Sequence, residues 1–110
     1  MGTARQPAIA DALKQLWDKF LPQMEERIAA LEQANRSLAA ASLTSSQREA
    51  AAAAAHKLAG VLGTFGLNDG TTLAREAEEL YSGLSSLSPE NLVRLESIVT
   101  QLHAMIRDRK

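Results

Sequence analysis

The sequence predicts an all-α fold: an antiparallel up-down four-helix bundle with a short extra N-terminal helix. Three observations carry this expectation. Apolar residues recur at spacings of three and four along most of the chain. β-branched residues are few and never alternate with polar ones, so strand signals are absent. Proline, glycine and capping residues fall where such helices would start and stop.

Taken in order, Ile9, Leu13, Leu16, Trp17 and Phe20 make the first apolar series, and Met24, Ile28, Leu31 and Leu38 continue it. Pro22 stands between the two groups. An interior proline costs a helix ~3 kcal/mol, so a break or sharp kink is expected near Leu21. This leaves a short first helix, with Trp17 and Phe20 mostly in the core, and a full-length second one. Residues 39–43 read as a connection. Thr44, Ser45 or Ser46 can cap the next helix, and Ser46 with Glu49 has the spacing of a capping box. That helix should end near Gly66. Asn68 or Asp69 should cap the following one, which runs along Leu73, Ala77, Leu80 and Leu84 to about Gly83. Ser88-Pro89 then pairs an N-cap with proline at the first helical position. The last helix carries Leu92, Leu95, Val99, Leu102 and Ile106.

Length and composition bound the rest. At 110 residues the chain reads as one domain spanning 1–110, with a flexible N-terminus at 1–7 and a core bundle at about 22–108. A formal net charge of −1 gives no strong field for nucleic acid or membrane, and neither is expected as a partner. There is no cysteine, which fits a reducing cytoplasm and rules out thiolate chemistry. No N-terminal signal region precedes the first helix, and no apolar run approaches the ~20 residues of a membrane span.

The most informative segment is Ala51–Gly66. On a helical wheel Ala51, Ala55, Leu58, Leu62 and Phe65 fall in one stripe, and His56 stands roughly 140° from its middle. The histidine should therefore face solvent while its helix is anchored from behind. Its own face carries Ala52, Ala53, Gly60 and Gly63, none of which can shield the imidazole. Each helix-interior glycine costs about 0.5–1 kcal/mol relative to alanine. Two of them on the histidine's face point to close approach by another protein.

These residues carry a resemblance. Ala55-His56-x-Leu58-x-Gly60, followed by Gly66 and then by Leu73-Ala74-x-x-Ala77-Glu78, resembles the histidine phosphotransfer (HPt) domain of two-component phosphorelays. The specific part runs from about Ala50 to Leu80. The resemblance implies a short N-terminal helix over one end of a bundle, with His56 as phosphoacceptor. It implies a response-regulator or hybrid-kinase receiver domain as partner, with the aspartyl phosphate and Mg²⁺ on that partner. Many members of the family have lysine three residues after the histidine. Here that position is Ala59, and the nearest lysine is Lys57, about 100° round the helix from His56.

The expected function is that of a phosphorelay intermediate, accepting a phosphoryl group on His56 and passing it on. Lys57 and Arg75 are the candidate phosphate-stabilising cations. Ala52, Ala53, Gly60, Gly63 and Thr64 are the candidate docking surface. Substituting Gly63 by a bulky residue should block transfer with little loss of fold. The chain offers no ATP site of its own: Gly60-x-x-Gly63-x-x-Gly66 lies in or at the end of a helix, not after a strand. A second reading is a helical adapter that binds a signalling partner without being phosphorylated. A third, a dimerising kinase core, lacks an ATP-binding segment, and a monomer is expected.

Other sites are weaker. His103 lies beside the Leu95-Val99-Leu102 stripe with no cleared surface and reads as structural or exposed. Two distant histidines without cysteine do not make a zinc site, so no metal is expected. The adjacent carboxylates Glu25-Glu26 and Glu78-Glu79 diverge by about 100° on a helix and read as solvated faces. A Ser-His-Asp enzyme would need a strained elbow and an oxyanion hole, and neither is visible.

Overall fold

The apolar series resolve into four helices, α1 (Gly2–Ala39), α2 (Ser45–Thr64), α3 (Asn68–Ser82) and α4 (Pro89–Asp108). The computed structural model describes residues 2–83 and 86–108, and for residues 2–8 the backbone alone. Among the described residues there is no strand. Leu84, the last position of the expected α3 stripe, lies outside the described residues.

The four helices close a ring. α1 packs on α2 and α4, and α3 packs on the same two. Cross-helix contacts join each neighbouring pair. Trp17 of α1 meets Phe65 beyond the end of α2, with ring centroids 5.0 Å apart. Arg48 at the start of α2 reaches the end of α3, donating from Nε to the Tyr81 carbonyl at 2.6 Å and from a terminal nitrogen to that of Leu80 at 3.2 Å. Arg94 of α4 clasps Glu76 of α3 with two hydrogen bonds, holding that carboxyl below its ordinary range. His103 of α4 pairs with Glu32 of α1. Met24, Ile28, Leu58, Leu62, Ile98 and Leu102 fill the interior with no exposed surface, each contributing roughly 1.5–3 kcal/mol of burial.

The first helix departs from expectation. α1 is one helix of 38 residues that runs through Pro22, so the break near Leu21 and the separate short N-terminal helix are not formed. The reason lies in where the proline points. Pro22 is exposed, on the side of α1 away from the core, so the Asp18 carbonyl that loses its partner faces water. Trp17 and Met24 are both buried in the same core and hold the helix on either side of it. At 1.5 Å per residue α1 is about 57 Å long, which accounts for the 60 Å longest dimension of the molecule. Its N-terminal part projects past the bundle, leaving Ile9, Leu13 and Leu16 exposed. Among the described residues the first buried side chain is Trp17.

The caps confirm one expectation and correct two. Ser88 caps α4 as anticipated: its Oγ accepts the Asn91 N–H at 3.2 Å, and Asn91 Oδ1 accepts the Ser88 N–H at 2.9 Å. At α2 the capping box is Thr44 with Gln47, not Ser46 with Glu49. Gln47 N–H donates to Thr44 Oγ1 at 3.0 Å, and Thr44 N–H to Gln47 Oε1 at 2.8 Å; glutamine satisfies the two orphan donors as glutamate would. At α3 neither Asn68 nor Asp69 is the cap. Leu67 takes that position without a side-chain bond, because the preceding turn already fixes the chain. Leu67 N–H donates to Leu62 O at 2.9 Å and Gly66 N–H to Gly63 O at 3.1 Å. This is a Schellman turn, with Gly66 at φ 75°.

One buried polar contact has no signal in the sequence. Tyr81 donates its hydroxyl to Asn35 Oδ1 across the bundle from α3 to α1. Burial pushes the Tyr81 phenol up to about 12, against the opposing charge of Arg48.

Candidate functional site

The antiparallel hairpin of α2 and α3 builds the site. Ala51, Ala55, Leu58 and Leu62 are buried, as the wheel requires, and Ala59 is buried beside them. His56 is left on the outside, its side chain 74% exposed. Its Nδ1 lies 2.9 Å from Glu78 Oε2 on α3. An ionised carboxylate can only accept, so the proton of a neutral His56 sits on Nδ1 and the lone pair on Nε2. Nε2 makes no hydrogen bond among the described residues. The contact orients the ring and leaves its outer nitrogen facing solvent.

The sequence places Glu78 on a solvated face, and the structure corrects this. The signal is present in the hairpin: His56 and Glu78 each stand eleven residues from Leu67, on opposite sides of it. A tight antiparallel turn centred there brings the two level with each other. Glu79, the other half of the pair, is exposed.

The second contact of the hairpin lies further along. Thr71 Oγ1 donates to the Ala59 carbonyl at 3.0 Å. A Cβ on Gly63 would touch that same hydroxyl oxygen at 3.4 Å. Gly60, between these contacts, is exposed, and a Cβ there would meet nothing within 4 Å. Thr64 is exposed and turns its hydroxyl back to the Gly60 carbonyl at 3.1 Å. So His56, Gly60, Gly63 and Thr64 form an open strip.

Ala52 and Ala53 diverge below this strip. Ala52 lines the α2–α3 groove with Arg48 and Tyr81. Ala53 lines the α1–α2 groove with Gln23, Glu26, Arg27 and Lys57. The two candidate cations are therefore separated: Lys57 stands on the α1 side of His56, and Arg75 stands on α3, exposed, one turn before Glu78.

His103 provides the contrast. Its Nε2, not Nδ1, lies 3.0 Å from a carboxylate oxygen of Glu32. The nitrogen furthest from its backbone is thus engaged in joining α4 to α1, in keeping with the structural or exposed role expected of it.

The sequence model of the Hpt domain matches residues 15–105, the stretch that contains the whole buried core apart from Ile106. A curated relative, Protein RcaC of Microchaete diplosiphon, is 36% identical over 90 residues, covering 82% of this chain. That match takes in 14% of RcaC, so the chain corresponds to a small part of its relative. No solved structure gives a significant match. No helix is long and apolar enough to cross a membrane among the described residues.

Proposed function

This chain belongs to the Hpt domain family, the phosphotransfer carriers of two-component phosphorelays, and on that premise we propose that His56 is its phosphoacceptor. The single observation that carries the proposal is the Nδ1 contact to Glu78 at 2.9 Å on an otherwise exposed ring. A histidine held in this way has the tautomer and the access that nucleophilic attack requires.

The donor is the aspartyl phosphate of a receiver domain. The Nε2 lone pair forms the N–P bond as the P–O bond to the aspartate breaks, and the aspartate leaves as carboxylate. The Nδ1 proton stays in place, so the product is a phosphoimidazolium whose positive charge faces Glu78. Reversal onto another receiver passes the group on. Mg²⁺ and most of the charge stabilisation belong to the receiver, since positioning and electrostatics dominate phosphoryl transfer. The chain supplies an oriented nucleophile.

The receiver docks over His56, Gly60, Gly63 and Thr64, with Ala52 and Ala53 at the edge. Small side chains there let the partner's phosphoaspartate reach the imidazole. Signalling encounters of this type are small and transient.

The test is transfer from an acetyl-phosphate-charged receiver to the wild type and to His56→Gln. Acid-labile, alkali-stable label on the wild type and none on the variant is the expected result. Label surviving in the variant would place the acceptor elsewhere. Binding without label on the wild type would identify a helical adapter instead.

A further inference from the structure

We infer that Arg75 of α3 is the cation that meets the phosphoryl group on His56; this rests on the phosphotransfer reading above. The electrostatic need follows from the geometry. A phosphoryl group on Nε2 brings about two negative charges to a ring whose other nitrogen already faces the Glu78 carboxylate. The imidazolium offsets one of them, so a net negative charge remains on the phosphoryl oxygens, and a cation close to those oxygens stabilises it.

The cations can be sorted by position. Arg94 is clasped by Glu76. Arg48 is committed to the carbonyls of Leu80 and Tyr81. Lys57 lines the α1–α2 groove beside Glu26 and Arg27, on the flank of α2 away from Glu78. The other described lysines and arginines belong to α1 and to the last turn of α4. Arg75 is the single Lys or Arg of α3, and among the described residues it is in no salt bridge.

Register places Arg75 beside the histidine. Thr71 touches the Ala59 carbonyl and Glu78 touches His56, so the α3 turn between them runs past Ala59 and Gly60. Arg75 lies on that turn, about 4.5 Å along the axis from Glu78 and about 60° round from it, toward solvent. It thus occupies the outer rim of the surface that α3 presents to α2. Gly60 is the neighbour it must pass, and Gly60 has open space where a side chain would be. The glycine clears the way for the guanidinium as well as for the partner. Glu78 and Arg75 then divide the work, the carboxylate holding the Nδ1 proton and the guanidinium binding phosphoryl oxygens, for which its planar fork is suited.

The experiment measures the rate of His56 phosphorylation and the half-life of the phosphoprotein for wild type, Arg75→Ala, Arg75→Lys and Lys57→Ala. Two donors are used: phosphoramidate, which has no docking surface, and a phosphorylated receiver. Arg75→Ala is expected to slow phosphorylation about tenfold with both donors and to shorten the half-life. Arg75→Lys should recover part of both, and Lys57→Ala should stay within about twofold of wild type. Circular dichroism should be unchanged, because Arg75 is exposed. Wild-type behaviour of Arg75→Ala, or an equal loss in Lys57→Ala, would overturn the assignment. Loss with the receiver but not with phosphoramidate would also overturn it, making Arg75 a docking residue. A wild type that takes label from neither donor would remove the phosphotransfer reading itself, and this inference with it.

Discussion

Substituting Gly60 by alanine should make this protein more stable. Gly60 lies inside α2, where glycine is less favourable than alanine by about 0.5–1 kcal/mol. An added Cβ meets nothing within 4 Å, so no packing penalty offsets the gain. For a domain of this size the gain corresponds to a rise in Tm of about 2–6 °C. Two other glycines serve as controls. At Gly70 a Cβ would lie 3.0 Å from Leu62 Cδ1 and 3.2 Å from Met105 Sδ, so alanine there should destabilise by about 1–3 kcal/mol. At Gly66, φ is 75°, and alanine should cost about 1–2 kcal/mol of left-handed strain. Urea melts of the three variants give the stabilities, and receiver-to-His56 transfer gives the function. Gly60→Leu completes the set: it should keep wild-type stability or better and lose at least about tenfold in transfer, because the bulk lies where the partner must approach. A lowered Tm in Gly60→Ala would show that the face is packed and not open. Normal transfer by Gly60→Leu would refute docking over this strip.

Three further outcomes are expected. Tyr81→Phe removes the hydroxyl that satisfies buried Asn35 and should cost about 1–3 kcal/mol in urea unfolding; a neutral result would mean that Asn35 finds another partner. The Tyr81 phenol is raised in the folded state from 10.0 to about 12, so its contribution is complete below pH 10 and is lost as pH rises from there through about 12. Wild-type stability should fall across that window more steeply than that of Tyr81→Phe, and parallel curves would contradict the assignment. Deleting residues 2–14 should leave the urea midpoint of the bundle within about 0.5 kcal/mol of wild type, because among the described residues the first buried side chain is Trp17. A large loss would show that the projecting part of α1 is held by contacts with the bundle.

Much of the architecture is legible in the amino-acid pattern. Periodicity places α2, α3 and α4, the Ser88-Pro89 signal places the start of α4, and Gly66 places the end of α2, because these features act over a few neighbouring residues. Pro22 is the exception. The ~3 kcal/mol cost of an interior proline is a local quantity, whereas the core contacts of Trp17 and Met24 that bracket it belong to the whole bundle. Ser46-Glu49 and Thr44-Gln47 both have the spacing of a capping box, and only the path of the chain separates them.

The candidate site divides along the same line. His56, its exposure and the small residues around it follow from the wheel of a single helix, and the sequence by itself determined them. Glu78 beside Nδ1, Lys57 on one flank and Arg75 on the other are relations between helices. They depend on the rotation and register with which α2 and α3 pack, set by the Schellman turn at Gly66 and by Thr71 on the Ala59 carbonyl. A helical pattern defines which face is apolar but not which residue of the next helix will stand opposite. Tertiary packing made that choice, and with it the tautomer of the histidine.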